Sequence, residues 1–192
     1  MGERFLVVCA TAAEAAYVPA EVPLLITGMG KTAAATATAS ALAADPDPGS
    51  LTVLNLGTAG ALRDGLAGLH HPGVVLNHDL SADAIRALGA DPQERLEVSG
   101  GDRTVLASGD VFVTDPVVRA ALASRAHLVD MEGYAVVFAC RRHGARVELA
   151  KHVSDNADES ALDWNQVVDA SARELGDWLV GRLGRIRAER RV

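Results

Sequence analysis

Apolar residues along the chain fall into short, nearly unbroken runs, separated by stretches in which they recur every three or four positions. The runs at Arg4–Cys9, 22–27, 51–56, 74–76, 104–108, 127–130 and 146–153 read as strands. Their unbroken character marks strands buried on both faces. Helical spacing covers Lys31–Ala44, 82–88, a segment begun by Asp115-Pro116, and the stretch carrying Ala135, Val136, Phe138, Ala139 and Cys140. Asp115 is read as a helix N-cap with Pro in the first turn, and Gly144 as a helix stop. A last helix, 165–186, places Val167, Val168, Leu175, Leu179 and Leu183 on one face. The residues after the first strand, from Thr11 to about Pro19, read as a short helical stretch. Segments 45–49, 91–102 and 159–164 read as loops. The basic end, 185–191, reads as a solvated helix tip favoured by the helix dipole. Alternating strands and helices predict an α/β domain, taken as one domain over 1–192.

Composition narrows the function classes. Hydrophobic residues make up 49% of the 192 and aromatics only 4%. Ala and Val therefore carry the core, which suits helices packed closely on a sheet. The formal charge is −7, which argues against a nucleic-acid groove, since that needs a basic field. No apolar run reaches the length of a membrane span, and the run 5–10 is too short for a signal-peptide core. The two cysteines, Cys9 and Cys140, sit in apolar runs and read as buried free thiols of a cytoplasmic protein.

Candidate chemistry collects at strand ends. Asp130-Met131-Glu132-Gly133 closes one apolar run and opens a helix, and Ser154-Asp155-Asn156-Ala157-Asp158 follows the next strand. In open α/β sheets ligands bind at that edge. Read as residues alone, Glu132 and Asp155 fit equally well as helix-start and loop acids favoured by helix dipoles. Glu14, after the first strand, reads first as a first-turn acid. Gly28-Met29-Gly30-Lys31-Thr32 suggests two nucleotide motifs and satisfies neither. A Walker A loop requires Gly where Leu25 stands. A dinucleotide site requires an acid at the end of the next strand, where Asn55 and Gly57 stand. His70, His71, His78, Asp79 and Asp83 match no standard zinc spacing and read as surface loop residues.

The Asp-Met-Glu-Gly and Ser-Asp-Asn-Ala-Asp segments, taken in order with four further stretches, resemble the nucleoside phosphorylase/nucleosidase family. Within it the resemblance is closest to the 5′-methylthioadenosine/S-adenosylhomocysteine nucleosidase branch. It implies a three-layer α/β/α fold with a mixed central sheet, and a hydrolase that cleaves the N-glycosidic bond of a purine nucleoside, a 5′-modified adenosine. Carried over residue by residue, Met131 and Glu132 hold the ribose, and Ser154 and Asp155 form the purine-side pair with Asp155 as the acid. Glu14 activates the attacking water, although Ala12 and Ala13 replace the family's neighbouring acids. Thr58, Ala59 and Gly60, in a Gly-rich bend, lie under the sugar. Phe112 lies against the base, with the Val113 backbone offering hydrogen bonds to it. The resemblance implies no metal and no cofactor, a homodimer, and a small-molecule nucleoside as partner; charge and run length already argue against nucleic acid and membrane as partners. It also marks two departures. The family's phosphorylases place an Arg for phosphate where Asn55 stands, and few residues separate Pro19 from Val22, where the family commonly carries an extra strand pair. Futalosine hydrolase, purine nucleoside phosphorylase and a non-catalytic nucleoside-binding protein are the alternatives on this fold.

Overall fold

The computed structural model describes residues 4–189, with side chains throughout except at 160, 163 and 186–189. Its strands are β1 (Arg4–Cys9), β2 (Leu24–Ile26), β3 (Leu51–Ala61), β4 (Leu69–His70), β5 (Pro72–Asn77), β6 (Arg95–Glu97), β7 (Asp102–Ser108), β8 (Leu128–Asp130) and β9 (Arg146–Asp155). Its helices are α1 (Lys31–Ala44), α2 (Ala82–Ala87), α3 (Pro116–Ala123), α4 (Gly133–His143) and α5 (Trp164–Glu189).

These strands join one mixed sheet, running β2-β1-β3-β8-β7-β5-β6, with β9 on β3 and β4 on β9. The β3 strand is its axis, pairing parallel with β1 and β9 and antiparallel with β8. On one face, α1 and α4 bury Ala34, Leu42, Ala135, Val136 and Cys140 against Val8 and Val53. On the other, α5 buries Leu175 and Leu179 against Val7, Leu54, Leu56 and Ala150. The result is three layers, helix–sheet–helix. The small side chains of α1 and α4 let the two helices lie against the sheet at short range, as the Ala- and Val-rich composition requires.

Local chemistry sets the helix ends where the sequence places them. Asp115 Oδ1 accepts from the amides of Val117 and Val118 at 2.7 and 3.3 Å, a helix N-cap. Gly144 closes α4 in a left-handed conformation, φ 71°. Both cysteines are buried and free, and burial pushes each thiol up to about 12.

Five expectations need correction. The loop expected over 159–164 is a 3-10 helical turn, Glu159–Asp163, with Trp164 as the first residue of α5. Residues 11–18 form turns, not a helical stretch, because Glu14 is drawn inward to partners on β3 and the alanines around it cannot hold a helix alone. The strand expected over 22–27 is trimmed to Leu24–Ile26, after Pro23, which has no amide for the ladder. The Gly-rich segment expected as a bend at 58–60 is part of β3, which continues to Ala61 with a register shift against β9 between Ala59 and Gly60. The loop expected over 91–102 contains β6, which buries Leu96 between exposed Arg95 and Glu97. That alternation of period two was present in a segment of polar composition.

Candidate functional site

A cavity of about 370 Å³ opens where the chain leaves β1, β7, β8 and β9, beside the last residues of β3. All ten residues singled out in the sequence line it: Glu14, Thr58, Ala59, Gly60, Phe112, Val113, Met131, Glu132, Ser154 and Asp155. Phe112 is half exposed on the wall, while Val113 is buried beside it. The cavity also takes in Asp130 of the Asp-Met-Glu-Gly segment, and residues that sequence reasoning did not single out, chiefly Thr11, Leu162 and Trp164.

Four carboxylates line the cavity, Glu14, Asp130, Glu132 and Asp155, from three strand ends, each held differently. Glu14 is buried, and four donors engage it. Thr11 N–H and Oγ1–H donate to Oε2, each at 3.1 Å, while Thr58 N–H and Oγ1–H donate to Oε1 at 2.8 and 2.9 Å. The Glu14 amide returns a bond to Thr11 Oγ1 at 3.2 Å, so Thr11-x-x-Glu14 is a capping box closed without a helix. Asp155 accepts from Ser154 Oγ at 2.7 Å and from the Ala157 amide at 2.8 Å. Ala157 adopts a left-handed backbone, φ 51°, to make that bond. Opposite, a Cβ on Gly60 would stand 2.8 Å from Asp155 Oδ1 and 3.0 Å from the Ala157 Cβ. Only glycine lets β3 run this close beneath the acid. Glu132 is buried at the start of α4 and accepts from the Gly30 amide at 2.8 Å.

Behind these acids lies Lys151, whose side chain is only 2% exposed. Its Nζ stands 2.9 Å from Asp130 Oδ2, and Asp130 also accepts from Ser108 Oγ and from the Gly133 amide. Burial by itself would lower the ammonium. Asp130, Glu132 and Glu14 outweigh it and hold the lysine above its ordinary range. The sequence did carry a signal for this group: a lysine inside Leu149-Ala150-Lys151-His152-Val153, a run otherwise read as buried.

Comparison with known proteins agrees with this architecture. The family model described as Phosphorylase superfamily matches residues 69–180, more than half the chain. The chain belongs to the phosphorylase superfamily. A curated relative, the aminodeoxyfutalosine nucleosidase of Helicobacter pylori strain J99, is 36% identical over 78 residues, covering 39% of this chain and 34% of that protein. The matched stretch thus spans about a third of that relative's length. Among solved structures, the Helicobacter pylori 5′-methylthioadenosine/S-adenosylhomocysteine nucleosidase in complex with a substituted pyrrolidin-3-ol is similar at a TM-score of 0.83. It is 23% identical, with 96% of this chain and 100% of that chain covered. A futalosine hydrolase mutant of Helicobacter pylori strain 26695 is similar at a TM-score of 0.83 and 22% identity, over 95% of this chain and 99% of that one. At these identities the structural likeness establishes the fold.

Within the superfamily fold, the Gly-rich turn before α1 is occupied by the chain's own carboxylates. The Gly30 amide is taken by Glu132, and the Lys31 amide donates to Asp110 Oδ1 at 2.7 Å. Lys31 Nζ donates to Asn77 Oδ1 at 2.7 Å and pairs with Asp79. Asp79 in turn accepts from the Asp110 amide at 2.8 Å. Asp79 is therefore a brace for this turn and not the plain surface loop residue the sequence suggested. His78 is also structural, its ring lying so close to Gly109 that a Cβ there would meet Nε2 at 2.2 Å.

The superfamily member's buried charge has a pH signature. Burial, then the neighbouring Asp130 carboxylate, pushes Glu132 up to about 7, and Lys151 and the Gly30 amide do not cancel that rise. The folded chain thus holds a proton that the unfolded chain releases in the ordinary glutamate range. This contribution is fully present below that range and is lost as pH rises through about 7. Thermal unfolding followed between about pH 5 and about pH 8 should show the midpoint of the unmodified protein falling relative to that of Glu132→Gln, a comparison in which the opposing slope from the part-buried His78, His127 and His152 cancels. An unchanged slope in that variant would assign the effect to another group.

Proposed function

We propose that this cavity hydrolyses the N-glycosidic bond of a purine nucleoside, a 5′-modified adenosine, releasing free base and free sugar. The observation that carries the reading is the arrival of Glu14, Glu132 and Asp155 in one cavity from three separate strand ends. A purine leaves poorly as an anion, so an acid must protonate it, and the sugar gains oxocarbenium character as the bond breaks. Asp155, fixed from both sides, delivers the proton to the base. Glu132 accepts the ribose hydroxyls and sets the sugar's orientation with Met131 beside it. Glu14 takes the proton from the attacking water. Thr58, Ala59 and Gly60 support the sugar from β3, and Phe112 and Val113 wall the base.

Water rather than phosphate is the nucleophile in this reading. Burying phosphate requires paired cations or several free donors. The Gly30 and Lys31 amides and the Lys31 ammonium already serve Glu132, Asp110, Asn77 and Asp79. Asn55, where the family's phosphorylases place arginine, donates to the Val8 carbonyl within the sheet at 3.0 Å.

The cavity wall also bears on the 5′ end. Among the described residues no arginine, lysine or histidine lines it, and Met29, Val111, Phe112 and Leu162 are exposed apolar side chains around it. Such a wall suits a neutral or alkylthio 5′ group and presents no cationic side chain to a carboxylate-bearing one. Incubation with methylthioadenosine, S-adenosylhomocysteine, adenosine, inosine and futalosine in phosphate-free buffer tests the reading. Free adenine should appear fastest from methylthioadenosine. Release from futalosine alone would move the substrate to the futalosine hydrolase reading, and no release from any nucleoside would favour a binding protein.

In the same reading the protein works as a homodimer in the cytoplasm. The family resemblance supports the dimer, and two unpaired buried thiols suit a reducing compartment. No helix among the described residues is long and apolar enough to cross a membrane. Light scattering at micromolar concentration should give twice the mass of the chain, whereas an active monomer would refute the dimer.

A further inference from the structure

Trp164 is the first residue of α5 and lies on the cavity wall. Its indole Nε1–H donates to Thr58 Oγ1 at 2.9 Å, across 106 residues of chain. The same hydroxyl donates to Glu14 Oε1 at 2.9 Å, and the Thr58 amide reaches that oxygen at 2.8 Å. An indole N–H can only donate, whereas a threonine hydroxyl has one proton and two lone pairs. With a lone pair taken by Trp164, the hydroxyl proton has one acceptor in place, Glu14. Without the indole N–H the hydroxyl is free to rotate, and Oε1 loses a donor whenever it turns away.

We propose that Trp164 is a positioning residue for the hydrolysis: its N–H sets the direction of the Thr58 hydroxyl, which in turn fixes the Glu14 carboxylate toward the attacking water. The inference rests on the hydrolase reading above and extends it to a residue outside the three carboxylates. Thr11 already holds Oε2 through two donors, so Trp164 completes the clamp at Oε1. The arrangement also ties the start of α5 to the axis of the sheet. The part-buried indole N–H finds its partner in the hydroxyl next to the proposed base.

The test separates the N–H from the ring. Trp164→Phe keeps an aromatic side chain and removes the donor. It should lower kcat about 10-fold, the size of one net hydrogen bond's worth of misplacement, and leave KM within about twofold, as expected for an interaction that matters in the transition state. Benzothienylalanine installed at position 164 alone, with sulfur in place of the N–H, should reproduce that loss without altering ring shape. In a Thr58→Val background, where the hydroxyl is gone, Trp164→Phe should change kcat by less than about twofold. A kcat equal to that of the unmodified protein in both the Phe and benzothienyl variants overturns the proposal. So does an equal loss with and without the Thr58 hydroxyl, which would make Trp164 a packing residue. Absence of base release from the unmodified protein overturns the hydrolase reading itself, and this role falls with it.

Discussion

Asp155→Asn is expected to fold normally and to lose roughly 100- to 10,000-fold in turnover, the range over which a positioned general acid contributes. The substitution is nearly silent for structure. The asparagine oxygen can still accept from the Ala157 amide, and its amide can donate to Ser154 Oγ, because a hydroxyl serves equally as acceptor. Gly60 leaves the same room for an amide as for a carboxylate. What disappears, in the proposed reaction, is the proton for the departing purine. Steady-state kinetics on methylthioadenosine, with thermal unfolding as the control for folding, measure the effect. Turnover within a few-fold of the unmodified protein would remove Asp155 from the reaction.

The second large effect concerns stability. Lys151→Met replaces a fully buried ammonium by an apolar side chain of similar length and leaves Asp130 without its cation, close to Glu132 and Glu14. Breaking a buried pair by removing one partner costs about 3–5 kcal/mol. At roughly 2–4 °C per kcal/mol for a chain of this size, the unfolding midpoint should fall by roughly 6–20 °C. Asp130→Asn added to Lys151→Met should recover part of the loss, since it removes the unpaired charge. A shift of less than about 2 °C in the single variant would mean that Asp130, Glu132 and Glu14 do not depend on Lys151.

How far the molecule was legible in its sequence depended on the range of the interactions. The ends of α3 and α4 are written in local chemistry, Asp115-Pro116 and Gly144, and both stand where the sequence places them. The turns at residues 11–18 were not legible, because alanine-rich helix propensity is overridden there by the pull of Thr58 on Glu14. The Thr11-x-x-Glu14 spacing was nevertheless a readable capping signal. The ten candidate site residues were singled out through motif resemblance, which reports position along the chain and says little about partners. Asp79 shows the difference, since its role as a brace for Lys31 and Asp110 depends on contacts across 48 and 31 residues. Lys151 gave a one-residue hint inside an apolar strand, and Trp164 gave none, because its partner lies on another element.

The central claim is that water attacks the sugar, and the nature of the sugar product tests it most directly. The protein should be incubated with methylthioadenosine in saturating inorganic phosphate and the reaction followed by phosphorus NMR alongside adenine release. The account predicts adenine release at the rate seen without phosphate, a single phosphorus resonance from the inorganic ion, and free methylthioribose. A growing sugar 1-phosphate resonance in step with adenine release would contradict it.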